Sequence, residues 1–265
     1  MSIFTPTEIT DNYMKASVGK AASPAWRLFV LIGLGGVTSS TGAHGLENAG
    51  LVRLMSGLIF PVGLMMVILM GTELFTGNAL MITAALDGKI TWARLLRNWG
   101  IVFAGNLVGA VALAACMAFF GQLNIGGGDL AVYTAKVAAS KNALPWANAF
   151  VLGIFCNIMV CIAVYQANTA QDTAGRILGI FFPIMGFVLA GFEHCVADMY
   201  YVPAGIFAYM NPAYTGLIDA AGINVALLNF GDFICANLIP VTLGNIVGGV
   251  LVGLVMYACH ATKKA

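Results

Sequence analysis

Two interrupted apolar segments constrain the fold of this chain most. Residues 54–85 and 177–210 are almost wholly apolar, except for GTELFTGN at residues 71–78 and GFEHCVAD at residues 191–198. Each segment is longer than the roughly 20 residues of one bilayer crossing. Non-helical backbone at membrane depth is tolerated only inside protein or beside a water-filled path. We therefore predict two discontinuous helices lining a cavity, with tilted or kinked helices as the alternative.

The composition indicates a polytopic membrane protein. Of the 265 residues, 60% are hydrophobic and 9% are charged, whereas a soluble domain carries about 25% charged residues. The net charge of +1 argues against a nucleic-acid-binding protein, because the chain has no basic stripe to neutralise phosphates. The six cysteines show no CxxC spacing, which favours apolar packing over a disulfide or metal role.

Six membrane spans are predicted within one channel domain, residues 1–265. Their approximate bounds are 26–40, 54–85, 99–120, 146–165, 177–210 and 233–259. With both termini on one face, nine basic residues share that face: Lys15, Lys20, Arg27, Lys89, Arg94, Arg97, Arg176, Lys263 and Lys264. The other face has three, namely Arg53, Lys136 and Lys141. The excess predicts cytoplasmic termini.

An internal repeat relates the two halves, about residues 20–120 and 141–260. GNLVGAV at 105–111 matches GNIVGGV at 244–250, and the two interruptions share Gly-x-Glu at 71–73 and 191–193. Three spans per half is an odd number, so the second half enters the membrane from the opposite face. The prediction is an all-α inverted three-plus-three repeat with the second and fifth helices broken. The small residues of both GN-x-x-G stretches predict close helix packing.

Four of these stretches carry a resemblance to a known family. ELFTGN, GNLVG, GFEHCVAD and IPVTLGNIVGG together resemble the formate/nitrite transporter family, over about residues 15–257. The resemblance implies an aquaporin-like fold, a homopentamer with one pore per subunit, and passage of small monovalent anions or their acids. It implies neither a cofactor nor a metal.

The resemblance also assigns expected roles to residues. Those expected to line the pore are His194, Thr76, Phe60, Leu64, Leu74, Phe75, Phe187 and Asn157. Within this set, residues 74–76 form a loop in which Thr76 faces His194, and Phe60, Leu64 and Phe187 form apolar constrictions. Lys20 and Lys141 correspond to vestibule lysines. Asp198 departs from the formate-channel pattern, which has asparagine there, and this leaves the choice of anion open.

His194 is the central candidate, because it is the only histidine within a predicted span. Imidazole can donate a hydrogen bond or carry a proton. His194 is therefore expected to hold the anion, or to protonate it so that a neutral acid crosses the apolar gates. The Thr76 hydroxyl is expected opposite. Glu73 and Glu193 are interpreted as structural caps on free backbone N–H groups at the breaks.

These features favour one class of function over two others. An anion channel is the main hypothesis, with formate preferred and hydrosulfide or nitrite as alternatives, together with possible coupling to protons. A water or glycerol pore is disfavoured because the one Asn-Pro-Ala sequence, residues 211–213, has no partner. A membrane enzyme is disfavoured because no HExxH, GxSxG or Walker motif occurs and His44, His194 and His260 lie far apart in the sequence.

Overall fold

The chain begins with a capped helix. The structure is a computed structural model that describes residues 3–25 and 34–261. Helix α1, Pro6–Ala22, starts with a capping box in which the Thr5 side chain accepts from the Glu8 N–H and the Glu8 side chain accepts from the Thr5 N–H. The Glu8 carboxylate accepts from both the N–H and the hydroxyl of Thr5, and these two bonds lower its pKa. The predicted first span lies partly outside the described residues, and helix α2, Leu34–Ala43, covers its end.

The first interrupted segment consists of several short helices. Helix α3 is Ala49–Ile59 and helix α4 is Val62–Met70. Pro61 lies at their junction and has no backbone N–H to donate. Gly71 ends α4 in the left-handed conformation at φ 69°, which glycine adopts without a Cβ penalty. The chain then continues as α5, Phe75–Asn78, a 3₁₀ turn at Ala79–Met81, and α6, Ile82–Leu86.

The second interrupted segment ends its first helix in the same way. Helix α10, Thr173–Ala190, stops at Gly191, which has φ 72°. Helix α11, Cys195–Met210, then begins after His194. The first break therefore spans residues 71–74 and the second spans residues 191–194.

The remaining helices complete the bundle. They are α7, Trp92–Phe119; α8, Asp129–Asn142; α9, Trp146–Ala167; α12, Pro212–Ala220; α13, Phe230–Asp232; and α14, Ile239–His260, which follows a π-helical stretch at Phe233–Leu238. Within residues 3–25 and 34–261, five helical segments are long and apolar enough to cross a membrane. They are 49–70, which joins α3 and α4; 92–119; 146–167; 173–190; and 230–260, which joins α13 and α14. Helix α7 begins seven residues before the predicted span at 99, because Thr91 caps it and its first turns carry Arg94 and Arg97.

The packing predicted from the second GN-x-x-G stretch is present between α9 and α14. A Cβ on Gly244 would collide with the Phe150 carbonyl oxygen, and a Cβ on Gly248 would collide with the Ile154 carbonyl oxygen. The two backbones therefore approach so closely that only glycine fits at these positions. This contact holds α14 beside the second break.

Candidate functional site

The first break is held by an asparagine from α7. The Phe75 N–H donates to Asn106 Oδ1 at 3.0 Å, and Asn106 Nδ2 donates to the Glu73 carbonyl at 3.2 Å. The Asn106 side chain thus satisfies the free N–H of α5 and the free carbonyl of the preceding break. It is fully buried, so water cannot replace either bond.

The second break is held in the same manner by α14. The Cys195 N–H donates to Asn245 Oδ1 at 2.9 Å, and Asn245 Nδ2 donates to the Glu193 carbonyl at 3.0 Å. Asn106 and Asn245 are the asparagines of the two GN-x-x-G stretches. The expectation that the Glu73 and Glu193 side chains cap these helices is therefore wrong, because amide side chains from neighbouring helices occupy that role. Both asparagines lie in the repeated GN-x-x-G stretches, whose small residues predict packing but not this capping.

Glu73 instead belongs to what we name the Lys20 cluster: Lys20, Glu73, Asn78 and Asn98. Lys20 Nζ lies 2.9 Å from Glu73 Oε2 and 3.0 Å from Asn78 Oδ1. Asn78 Nδ2 donates to Glu73 Oε2 at 2.6 Å and to Asn98 Oδ1 at 2.9 Å. Each polar side chain in the cluster therefore has a partner, and one carboxylate balances one ammonium group.

Glu193 belongs to a corresponding Lys141 cluster: Lys141, Glu193, Asp198 and Asn237. Lys141 Nζ lies 2.8 Å from Glu193 Oε2 and 2.7 Å from Asp198 Oδ1. The same ammonium lies 5.5 Å from the centre of the Tyr201 ring. Asn237 Nδ2 donates to the Lys141 carbonyl at 3.4 Å. Two carboxylates therefore converge on one cation here.

His194 and Thr76 bring the two breaks together. Thr76 Oγ1 lies 2.8 Å from His194 Nε2. His194 is also the N-cap of α11, because its Nδ1 accepts from the Ala197 N–H at 3.1 Å. A ring nitrogen that accepts carries no proton, so the neutral ring has its proton on Nε2 and donates it to Thr76. The Thr76 hydroxyl hydrogen is then left to donate to another acceptor.

Two cavities meet at an aromatic pair. A cavity of about 40 Å³ has an apolar lining that includes Phe60, Leu64, Leu74, Phe187 and His194. A vestibule of about 520 Å³ extends from Phe60, Phe187 and His194 to Lys141 and Asp198. The Phe60 and Phe187 rings pack edge to face, with centroids 5.5 Å apart. The aromatic pair and the imidazole therefore form the boundary between the small apolar cavity and the wide vestibule.

Three residues expected in the pore lie behind these walls. Phe75 packs against Phe103 at a centroid distance of 5.1 Å. Thr76 and Asn157 are fully buried. Asn157 Nδ2 donates to the Thr76 carbonyl at 3.2 Å and to the Asn245 carbonyl at 2.6 Å. The expectation that Asn157 lines the pore is corrected, since it donates to backbone carbonyls of α5 and α14 and lines neither cavity.

Sequence reasoning missed several residues that build the site. They are Asn98, Asn106, Asn237 and Asn245, together with Tyr13, whose hydroxyl donates to the Gly77 carbonyl at 3.0 Å. A common signal was present for the asparagines, because each is a polar residue within an otherwise apolar helix and would need a buried partner.

Comparisons with known proteins identify relatives of this chain. The sequence model described as formate/nitrite transporter matches residues 7–259. The chain is 37% identical to the formate channel FocA of Haemophilus influenzae, covering 93% of this chain and 91% of the relative. It is 38% identical to a probable formate transporter of Methanothermobacter thermautotrophicus, covering 94% and 91%.

Solved structures of similar proteins have the same fold. A pentameric formate channel with formate bound superposes with a TM-score of 0.75 at 34% identity, covering 94% of this chain and 98% of that one. An ion channel of the same family superposes with a TM-score of 0.76 at 26% identity, covering 95% and 98%. Together with the apolar helices, these similarities show a multi-pass membrane protein. The chain belongs to the formate/nitrite transporter family.

Proposed function

We propose that this protein is a channel for formate. The observation that carries the proposal is His194, whose ring lies at the junction of the apolar cavity and the wide vestibule and bonds to Thr76 across the two breaks. The names of its relatives, formate channels and a formate transporter, support the choice of anion. These relatives are named as channels and transporters, which supports transport rather than catalysis.

The lysines would raise the anion concentration at the two mouths. Lys141 lines the vestibule, and Lys20 occupies the corresponding place beside the first break. A cation near a narrow opening attracts anions and orients their approach. The apolar cavity beyond would oppose a bare charge, because an ion loses its hydration there.

His194 and Thr76 would offset part of this cost through hydrogen bonds. Thr76 is buried behind the cavity walls, so the anion would accept from its hydroxyl, which the Nε2–H of His194 polarises, only after it enters between the two breaks. Proton transfer from His194 is the less favoured route. It needs a proton on Nδ1 as well, and that proton would break the bond from Ala197 which caps α11. We therefore infer passage of an anion held by hydrogen bonds, with proton coupling as the alternative.

The assembly and orientation are part of the same proposal. Six spans would form an inverted three-plus-three repeat of aquaporin-like type, with both termini on the cytoplasmic side of the cell membrane. The matched contacts at the two breaks support the repeat, and the excess of basic residues at one face supports the orientation. A solved relative is pentameric, which supports a homopentamer with one pore per subunit.

A vesicle assay would test the proposed substrate. Purified protein in proteoliposomes is mixed in a stopped-flow instrument with formate, nitrite, hydrosulfide or an osmolyte that reports water flux. We expect formate to cross faster than in protein-free liposomes and faster than nitrite or hydrosulfide. A faster rate for either of the other anions would reassign the substrate within the family. Water flux without formate flux would contradict an anion channel.

A further inference from the structure

The Lys20 and Lys141 clusters occupy corresponding places beside the two breaks. Each glutamate follows the left-handed glycine by two positions, and each lysine contacts the glutamate and the side chain five residues after it. In both clusters an asparagine amide donates to the lysine carbonyl. The corresponding pairs are Lys20 and Lys141, Glu73 and Glu193, Asn78 and Asp198, and Asn98 and Asn237.

One chemical difference separates the clusters. Asn78 Nδ2 donates two hydrogen bonds, to Glu73 and to Asn98 Oδ1. Asp198 stands in its place and, when ionised, has no hydrogen to donate. Accordingly, Asn237 Oδ1 and Asp198 Oδ2 are buried without a hydrogen-bond partner among the described residues, and Asp198 Oδ1 has only its ion-pair contact with Lys141. A single proton bound to Asp198 would supply the hydrogen that Asn237 Oδ1 and Asp198 Oδ2 lack.

The charge balance leads to the same conclusion. Asp198 is fully buried, and Glu193 is 7% exposed, so two ionised carboxylates would leave a net negative charge in a desolvated place. Two carboxylates that share a site do not both ionise readily, because each raises the cost of the other's charge. The other titratable side chains that adjoin Asp198 or share its vestibule are His194, Cys195, Cys156, Tyr201, Tyr133, Lys136, Arg53 and Glu47.

None of these neighbours supplies the missing positive charge. His194 is neutral in this arrangement, because its Nδ1 accepts from Ala197. The thiols and the phenols are not cations, and Glu47 is acidic. Lys136 and Arg53 are exposed on the vestibule wall, where Arg53 donates to the Leu189 carbonyl. Among the groups that the structure describes around Asp198, Lys141 is the cation in direct contact with it. A bound proton is therefore the remaining way to balance the cluster.

We propose that the Lys141 cluster is a proton-binding site, in which Asp198 carries the proton at neutral pH and donates it as Asn78 donates its amide hydrogen. Release of this proton leaves the cluster with one excess negative charge beside the path to His194. Formate access through this mouth then falls by roughly threefold to tenfold, the effect of one unit charge at short range in a partly hydrated site. This consequence rests on the proposed formate channel, whereas the proton site itself does not.

Infrared spectroscopy tests the proton site without any transport assay. Spectra of the purified protein at neutral pH are expected to contain the carbonyl stretch of a buried protonated carboxyl group. The band should shift when aspartate carboxyl groups carry ¹³C, and should be absent from Asp198→Asn, which restores the pattern of the Lys20 cluster. Asp219→Asn, at an exposed carboxylate, is the matched control and should keep the band. No band, or a band that shifts only with labelled glutamate, would overturn the proposal.

Formate flux tests the consequence. From neutral to alkaline pH, flux through the unmodified channel should fall threefold to tenfold more than flux through Asp198→Asn, with Asp219→Asn behaving as the unmodified channel. Equal pH profiles for the unmodified channel and Asp198→Asn would overturn the proposed effect of the Asp198 proton on formate flux. If neither protein carries formate, the proposed function fails, and the infrared result alone then decides the proton site.

Discussion

His194 Nε2 lies 2.8 Å from Thr76 Oγ1, and this bond joins the two helix breaks across 118 positions of sequence. Because His194 also caps α11 through Nδ1, its ring is fixed at both nitrogens. The imidazole therefore orients the threonine hydroxyl rather than rotating freely. The arrangement makes Thr76 a donor whose direction is set by a residue from the other half of the chain.

Removal of that hydroxyl should slow formate without unfolding the protein. Thr76→Val keeps the shape of the side chain but deletes the donor, so we expect formate flux in proteoliposomes to fall about tenfold, which corresponds to one lost hydrogen bond. Thr215→Val is the control, since the Thr215 hydroxyl donates to the Tyr209 and Asn211 carbonyls at the junction of α11 and α12 and its replacement should leave flux unchanged. Unchanged flux in Thr76→Val would contradict the role of the hydroxyl.

The aromatic boundary should limit the rate and the selectivity. Phe60→Ala opens the contact with Phe187 and joins the cavity to the vestibule, so we expect faster formate flux and weaker discrimination against larger monocarboxylates. Phe182→Ala, at a ring that is 66% exposed on α10, is the matched control. Slower formate flux with intact selectivity would show that these rings do not form a barrier.

The two capping asparagines should stabilise the fold more than an exposed one. Asn106→Ala and Asn245→Ala each leave an N–H and a carbonyl unsatisfied at a break, which costs about 2 kcal/mol or more. The thermal midpoint in detergent should fall for both variants. Asn124→Ala, at an exposed position, should leave it unchanged. An equal midpoint for all three variants would refute the capping role.

Lys141 should matter for stability as well as for attraction of anions. Lys141→Met leaves Glu193 and Asp198 without their shared cation, and breaking a buried pair from one side costs about 3 kcal/mol. Thermal unfolding in detergent should therefore begin at a lower temperature than for Lys136→Met, which changes an exposed lysine of the same helix. Equal destabilisation by both changes would argue against a buried ion pair.

The sequence predicted the positions of the breaks but not the contacts that hold them. Polar stretches in long apolar runs predict interruptions at residues 71–78 and 191–198, because polar backbone is costly in a bilayer. In the structure α4 ends at Met70 and α10 ends at Ala190. The lysine pairs could not be predicted, since Lys20 and Glu73 lie 53 residues apart and Lys141 and Glu193 lie 52 apart. Local sequence periodicity cannot predict contacts between residues that lie so far apart in the chain.

The asparagines illustrate a different limit. Asn106 and Asn245 both lie in the repeated stretches, but the small residues around them predict packing. Gly244 and Gly248 do provide such packing. Capping by the asparagines depends on which face of α7 or α14 meets each break, and only the tertiary arrangement decides that. In the same arrangement Asn157 lies behind Thr76 and not at the expected pore wall.

The most direct test of the account is formate flux through His194→Phe in proteoliposomes. His260→Phe, at the end of α14, is the matched control for loss of an imidazole. We expect His194→Phe to reduce formate flux tenfold or more and to change its pH dependence, whereas His260→Phe behaves as the unmodified channel. Flux and pH response in His194→Phe equal to those of the unmodified channel would contradict the central role of His194.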